Sequence, residues 1–346
     1  MAELGIHTKA EIGRQPALLT DSINQLSGMH GIMDEAIRFN PEQIIFMGCG
    51  TSYYLAASAA SYFLEYNPVP AIFIASYELY FNPEKYLKGK RTLLIPFTRN
   101  ARTTETQNAV KKARTYRNVK SLAISCDDYA KTYNDYTLFL EGVQENSIVM
   151  TSTATTMLAA AMYFSLYAGK QTETLHRMEI SYNTPFDGMP GIIKQAEEIA
   201  GREKNKTMMV TLGQGEYFGL AGEASIKVKE MVLLPTEVYY TMEYRHGPIS
   251  IAGKDTFFML FVSEKTKEHD KAIAGELKDL GASILGISAL EQDDIPCDYW
   301  IRIPKEEQFV YPFAMIPFQY LGCFWAVAKG INPDEPRNLV KAVILP

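Results

Sequence analysis

Three charged residues on one predicted helix have the types and spacing that acid–base chemistry requires. Glu223, Lys227 and Glu230 lie at i, i+4 and i+7 in EASIKVKE, so they project from one helical face. A carboxylate placed there can take a proton beside a carbonyl or imine and return it to the neighbouring carbon. A solvated face with salt-bridge spacing is the alternative. The charged row is expected at the margin of the core, beside an apolar stripe of Leu220, Ala224, Val228 and Met231.

His246 stands in the short segment EYRHGP and is one of only five histidines in the chain. Histidine is a residue type suited to proton transfer near neutral pH, although most histidines in proteins are surface or structural residues. The Gly247-Pro248 turn that follows would fix the loop presenting it.

Two segments that follow predicted strands suit an anion: the glycine-rich GCGTS and PFTRNARTTET, which is rich in hydroxyl and amide side chains. Backbone amides at a Gly-x-Gly turn approach an anion at the positive end of a helix, and hydroxyl, amide and guanidinium groups add donors. A capped helix start is the alternative, but it needs only one of these side chains. The missing third glycine disfavours a dinucleotide, so no cofactor is expected. The candidate phosphate-binding residues are Gly50, Thr51, Ser52, Thr98, Arg99, Asn100 and Thr103.

Lys341 lies in the final segment, NPDEPRNLVKAVILP, which Pro333 and Pro336 stiffen. Apolar residues flank this lysine and predict that the segment packs against the protein. An amine in such surroundings loses its charge more easily and is a candidate nucleophile. The alternative is a surface lysine on a docked tail.

Short apolar runs alternate with amphipathic stretches and predict the elements that must position these residues. Buried strands joined by helices favour an α/β fold with parallel sheets. The pattern occurs twice, and MGCGTSYYLAASAA resembles LGQGEYFGLAGEAS, so a duplication is predicted. Residues 177–191, with their Pro, Gly and Asn, are expected to form an irregular linker. The predicted strands are 43–48, 71–76, 92–97, 121–125 and 137–140, then 207–212, 237–240, 256–262, 283–288 and 299–303.

Composition excludes several classes of protein. A net charge of −6 without a basic run disfavours nucleic acid as a partner. The N-terminus lacks the features of a secretory signal, and residues 155–169 are too short and polar to span a membrane and predict a core helix. Four scattered cysteines without metal-ligand spacing favour free thiols in the cytoplasm and no metal site.

Together, the motifs resemble those of the tandem sugar isomerase (SIS) domain family. The resemblance covers almost the whole chain. Within the family, the sequence is most similar to the isomerase half of glucosamine-6-phosphate synthase and to the stand-alone relatives of that half. It implies two SIS domains, each a flavodoxin-like parallel sheet flanked by helices. The expected boundaries are an N-terminal helical segment at 1–35, domains at 36–175 and 197–330, a linker at 176–196 and an active-site tail at 331–346. The motifs are KAEIGRQPALL, GCGTS, PFTRNARTTET, ENSIVMTSTATTM, EASIKVKE, EYRHGP and DEPRNLVK.

The resemblance also implies roles for single residues. Glu230 would be the base that moves a proton between C1 and C2 of the open-chain sugar, while Lys227 would help to hold the substrate and Glu223 would line the same pocket. His246 would promote ring opening from the partner subunit of a homodimer, and Lys341 would form a Schiff base with a ketose phosphate.

The implied reaction is the deamination or isomerisation of an amino-sugar or ketose 6-phosphate through an enediol or enolamine. A fructosamine 6-phosphate deglycase is the alternative enzyme, and a non-catalytic phosphosugar-binding regulator is the alternative from another class. No glutaminase segment precedes the isomerase-like region, so synthesis from glutamine is disfavoured. The family's phosphate loop has a glycine where this chain has Ala101, so altered loop geometry or affinity is expected.

Overall fold

Two parallel sheets of five strands each form the framework of the computed structural model, which describes residues 4–345. The strands of the first sheet are in the order β2-β1-β3-β4-β5. They are β1 (Gln43–Gly48), β2 (Ala71–Ala75), β3 (Thr92–Thr98), β4 (Val119–Ser125) and β5 (Tyr136–Phe139).

The second sheet has the corresponding order, β7-β6-β8-β9-β10. Its strands are β6 (Met208–Leu212), β7 (Thr236–Tyr239), β8 (Thr256–Phe261), β9 (Ser283–Ser288) and β10 (Tyr299–Arg302). Each of the ten predicted strands is confirmed, as is the α/β class with two flavodoxin-like parallel sheets.

Helices connect and cover these strands. In the first half they are α1 (Ile6–Gly13), α2 (Gln15–Ser27), α3 (His30–Arg38), α4 (Thr51–Tyr66), α5 (Ser76–Phe81), α6 (Pro83–Leu87), α7 (Thr104–Ala113), α8 (Ser152–Ala168) and α9 (Thr172–Asn183). In the second half they are α10 (Met189–Glu203), α11 (Glu216–Val232), α12 (Lys267–Asp279) and α13 (Tyr311–Ala328). Short 3₁₀ turns lie at Asp128–Thr132, Glu243–Arg245, Pro248–Ile251 and Glu307–Phe309.

The apolar segment at 155–169 is a core helix, as predicted. It belongs to α8, whose residues from Ser152 to Leu166 are all buried. Among the residues described, no helix has the length and hydropathy needed to cross a bilayer.

The chain divides into two compact units, each built around one sheet. The first-sheet unit consists of Gln15–Glu145, Ser152–Thr184 and the described residues from Val340 onward. The second-sheet unit consists of the described residues up to Arg14, Asn146–Thr151 and Pro185–Leu339. The units are therefore not continuous in sequence, unlike the predicted domains. In the second-sheet unit, Glu11 joins distant segments because its buried carboxylate accepts hydrogen bonds from Asn146 N and Ser147 N at 2.5 and 3.2 Å.

The prediction of an irregular linker at 177–191 is wrong for most of that segment. Helix α9 continues to Asn183 and α10 begins at Met189, so only residues 184–188 lie between them. Pro190 is in the first turn of α10. Backbone N–H groups there have no acceptor within the helix, so the missing N–H of a proline costs no hydrogen bond. A proline in that position starts a helix, so the composition of the segment was misleading.

Asp270 of α12 gives the second-sheet unit a pH-dependent stability. Its side chain is fully buried, and burial raises its pKa to about 7, although Thr266 Oγ1 donates to Oδ2 at 2.5 Å. Since the folded-state pKa exceeds the unfolded value of about 3.9, the folded state holds the proton more tightly. The protonated form therefore gives its full stabilisation at a pH below the unfolded-state pKa. This stabilisation is lost as the pH rises through the folded-state pKa of about 7.

We therefore expect Asp270→Asn, which resembles the neutral carboxyl, to be more stable than the wild type at pH 8 by about 4 kcal/mol, because the two pKa values differ by about three units. At pH 5 the difference should fall to about 1–2 kcal/mol, because the folded wild type is then still protonated at Asp270. Thermal unfolding across this range measures it, with Asp279→Asn on the exposed end of the same helix as the control. A difference in melting temperature that does not depend on pH would contradict the assignment.

Candidate active site

The turn from β1 into α4 requires both of its glycines, for different reasons. A Cβ on Gly48 would lie 2.4 Å from the Cβ of Ser52, and Gly50 has φ 57° and ψ −126°, a region almost restricted to glycine. The turn places Thr51 and Ser52 in the first turn of α4, where they are 4% and 6% exposed. Backbone amides at such a helix start attract an anion.

The loop after β3 lies beside this turn. Strands β1 and β3 pair in parallel, with Met47 opposite Pro96, so their carboxyl ends open at the same edge of the sheet. Because β2 lies on the other side of β1, the chain reverses its strand order here, and ligands of such sheets bind at this point. The structure therefore brings together the two groups of predicted phosphate ligands, Gly50 to Ser52 and Thr98 to Thr103.

Ala101 has a backbone conformation that favours glycine. It is fully buried with φ 54°, in the left-handed region, which costs a non-glycine residue about 1–2 kcal/mol. Its N–H donates to Thr98 Oγ1 at 3.1 Å, and its carbonyl accepts from Gln107 Nε2 at 2.9 Å and from Tyr133 OH at 3.2 Å. These contacts hold the loop in the turned shape despite the side chain.

Lys341 belongs to the same unit and contacts the β3 loop. Its backbone carbonyl accepts hydrogen bonds from Arg99 Nη2 at 2.9 Å and from Asn100 Nδ2 at 3.2 Å. Its Nζ donates to the carbonyl of Glu145 at 2.9 Å. Sequence reasoning brought Lys341 and the phosphate loop to one site only through the family resemblance, and here they are in direct contact.

The expectation that apolar residues bury the tail is wrong. Val340 and Ile344 are 66% and 76% exposed, and Lys341 is exposed too. The tail is instead held through its backbone, since Thr104 N donates to the Val343 carbonyl and Leu345 N donates to Thr104 Oγ1, both at 3.1 Å.

In the second-sheet unit, Lys227 lies between the two other members of the charged row. Its Nζ is 3.6 Å from Glu223 Oε1 and forms a closer ion pair with Glu230 Oε2. Lys227 and Glu223 are fully buried, so the prediction that the row lies at the margin of the core is wrong for both. The sequence pattern of α11 does not reveal that α13 packs against it, so closely that a Cβ added at Gly322 would lie 2.5 Å from the Met231 Cε and 4.0 Å from the Lys227 carbonyl oxygen. Only Glu230 retains partial exposure, with 19% of its side chain accessible.

His246 lies in a different loop of the second-sheet unit. It follows the 3₁₀ turn Glu243–Arg245, is exposed and precedes Gly247, which has φ 113°. An ion pair of Arg245 with Glu276 at 2.8 Å anchors this loop. Within the described residues, no hydrogen bond or ion pair joins His246 to Glu230.

Glu145 is the residue that sequence reasoning missed. Its side chain is 1% exposed, lies 3.5 Å from Arg99 Nη1 and accepts from Thr153 N at 3.0 Å and from Thr153 Oγ1 at 2.6 Å. It thus caps α8, where a carboxylate is favourable near the helix N-terminus. An acidic residue shortly before a Ser/Thr-rich apolar helix was the available signal.

Removing the buried ammonium should destabilise the protein far more than removing its partly exposed partner. Lys227→Met removes the ammonium that lies 3.6 Å from the buried Glu223 carboxylate and should lower the free energy of unfolding by about 3–5 kcal/mol. Glu230→Gln leaves Lys227 paired with Glu223 and should cost about 1 kcal/mol. Urea unfolding of both variants measures these values, and equal losses would contradict the buried arrangement.

Position 101 should accept glycine and reject a branched side chain. In Ala101→Gly, relief of the left-handed conformation is offset by a freer unfolded chain and a lost buried methyl, so stability should change by less than about 1 kcal/mol. Ala101→Val should lose more than about 2 kcal/mol, because a β-branched residue is poorly accommodated at positive φ in a packed core. Wild-type stability of Ala101→Val in urea unfolding would show that the loop has another conformation.

Comparison with known proteins agrees with this architecture. The SIS domain matches twice, at residues 39–166 and 204–327. The glutamine–fructose-6-phosphate aminotransferase (isomerizing) of Pyrococcus horikoshii is 28% identical over 352 residues, which cover 96% of this chain and 56% of that protein. The chain thus spans about half the length of the curated relatives that it matches.

Two solved structures are similar over nearly the whole chain. Glucosamine-6-phosphate deaminase from Thermotoga maritima has a TM-score of 0.79 and 27% identity, and the match covers 98% of this chain and 100% of that one. Tagatose-6-phosphate ketose/aldose isomerase from Escherichia coli has a TM-score of 0.82 with 97% coverage of both chains, but at 22% identity it shows the fold alone. From the two domain matches and the two parallel sheets, the chain belongs to the SIS domain family.

Proposed function

We propose that this protein is a phosphosugar isomerase of the deaminase type, which converts an amino-sugar 6-phosphate such as glucosamine 6-phosphate into a ketose 6-phosphate and ammonia. The observation that carries the proposal is the position of Glu230. It is the one partly exposed carboxylate in a row whose other two members are buried, and Lys227 fixes it by an ion pair. That arrangement suits a base that must reach a substrate and keep its orientation.

The proposed reaction uses each group once. His246 transfers a proton during ring opening, and Glu230 removes the C2 proton and returns it to C1 through an enolamine. The resulting C2 imine accepts the amine of Lys341, ammonia leaves, and water releases the ketose and restores the lysine. Meanwhile the donors of the β1 and β3 loops hold the phosphate.

Two observations support the deaminase over the fructosamine phosphate deglycase. Lys341 contacts the phosphate loop, and a Schiff base at C2 has a direct use in releasing ammonia. The similarity to the Thermotoga maritima deaminase extends over 98% of this chain. We further propose that the enzyme acts in the cytoplasm without a cofactor.

Glu230→Gln tests the base directly. The variant should lose at least about 10²-fold in kcat, the contribution of a positioned general base, and retain the affinity for the sugar phosphate. Ammonia release and calorimetric binding measure the two quantities. A kcat within a factor of two of the wild-type value would refute the assignment.

We also propose a homodimer in which each His246 serves the active site of the partner subunit, since His246 is exposed in the single chain. A mixture of Glu230→Gln and His246→Ala subunits, each inactive alone, should then recover about a quarter of the wild-type activity, because half of the dimers are mixed and each has one intact site. Mixing must allow the subunits to exchange, which mass spectrometry of differently labelled chains confirms. Exchange without recovered activity would show that the site is not shared.

A further inference from the structure

We propose that Arg99 is a positioning residue for Lys341 and not a ligand of the substrate phosphate. The inference deepens the proposed function and depends on it for the role of Lys341, but the contacts on which it stands are those of the first-sheet unit alone.

The contacts of Arg99 argue against the phosphate-binding role that its position in the loop suggests. Its side chain is only 12% exposed, and Nη1 lies 3.5 Å from the carboxylate of Glu145, which is 1% exposed. Such a buried carboxylate balances the guanidinium charge, and an incoming phosphate would have to compete with it. The loop's other donors are backbone amides, neutral side chains and Arg102, whose guanidinium stacks over the Tyr129 ring at 3.8 Å.

The other end of the guanidinium holds the tail. Nη2 donates to the carbonyl of Lys341 at 2.9 Å, and Asn100 Nδ2 donates to the same oxygen at 3.2 Å. Arg99 therefore bridges Glu145, which caps α8, and the residue proposed as nucleophile. A planar guanidinium makes such a fixed fork, which a lysine ammonium does not reproduce.

The contacts of the tail explain why this bridge matters. The apolar side chains around Lys341 are exposed, so burial contributes little to its position. The lysine amine donates to the Glu145 carbonyl, a neutral acceptor that a substrate carbonyl can replace. Glu145 thus contacts Lys341 in two ways. Its backbone carbonyl accepts from the lysine amine, and its carboxylate pairs with Arg99, which in turn donates to the Lys341 carbonyl.

The test compares Arg99→Lys with Arg114→Lys. Arg114 provides a matched control because it also bridges a carbonyl and a carboxylate within this unit, those of Tyr133 at 2.8 Å and Asp135 at 3.2 Å. It has no contact with the tail among those described.

The first measurement needs no substrate. Trypsin cleaves after Lys341, and the rate of release of the C-terminal peptide, followed by mass spectrometry, reports how firmly that residue is held. Loss of one charge-assisted hydrogen bond predicts about tenfold faster cleavage in Arg99→Lys and an unchanged rate in Arg114→Lys. Equal rates in Arg99→Lys and the wild type would overturn the inference. If Arg99→Lys does not fold, Glu145→Gln, which keeps the Glu145 carbonyl, should give the same acceleration.

The second measurement separates positioning from phosphate binding. In Arg99→Lys the kcat should fall about tenfold, while KM and the inhibition constant for inorganic phosphate stay within about twofold of the wild-type values. A weaker inhibition by phosphate with an unchanged kcat would make Arg99 a phosphate ligand and overturn the inference. A wild-type protein that turns over no sugar phosphate would refute the proposed function, whereas the trypsin result, which needs no turnover, would still decide whether Arg99 positions Lys341.

Discussion

In the first-sheet unit, β1 pairs in parallel with β2 on one side and with β3 on the other. This pairing fixes which two loops can share a ligand, because parallel neighbours release their loops at the same edge of the sheet. The glycines of the first loop and the left-handed Ala101 of the second are local consequences, since each lets the backbone turn sharply at that edge. Lys341 is drawn to the same place by donors of the second loop.

In the second-sheet unit, the corresponding constraint is the ion pairing of the buried Lys227 with two carboxylates, those of Glu223 and Glu230. Such an ion pair loses hydration on burial and is weak evidence for a contribution to stability. Its more useful effect is geometric, because Lys227 limits where the carboxylate of Glu230 can lie. In the proposed reaction, the first of these constraints serves phosphate binding and the second serves proton transfer.

The sequence predicted the strands well because parallel strands buried on both faces are short, continuous apolar runs. It predicted the tail and the charged row poorly, for a common reason. Local periodicity does not show that α13 packs against α11, the helix that carries Lys227, nor that Val340 and Ile344 stay exposed while backbone hydrogen bonds hold their segment. The contact of Arg99 with Glu145 joins residues 46 positions apart and has no signature in either neighbourhood. The prediction for residues 177–191 failed because it relied on composition, whereas Pro190 lies in the first turn of α10.

The central claim is that the chain releases ammonia from an amino-sugar 6-phosphate. The most direct measurement incubates the wild-type protein with glucosamine 6-phosphate, its epimers and a fructosamine 6-phosphate, and determines ammonia and free amino acid in each reaction. The account predicts ammonia, in equal amount to a ketose 6-phosphate, from at least one amino-sugar phosphate. Free amino acid from the fructosamine phosphate, with no ammonia from any amino-sugar phosphate, would contradict it.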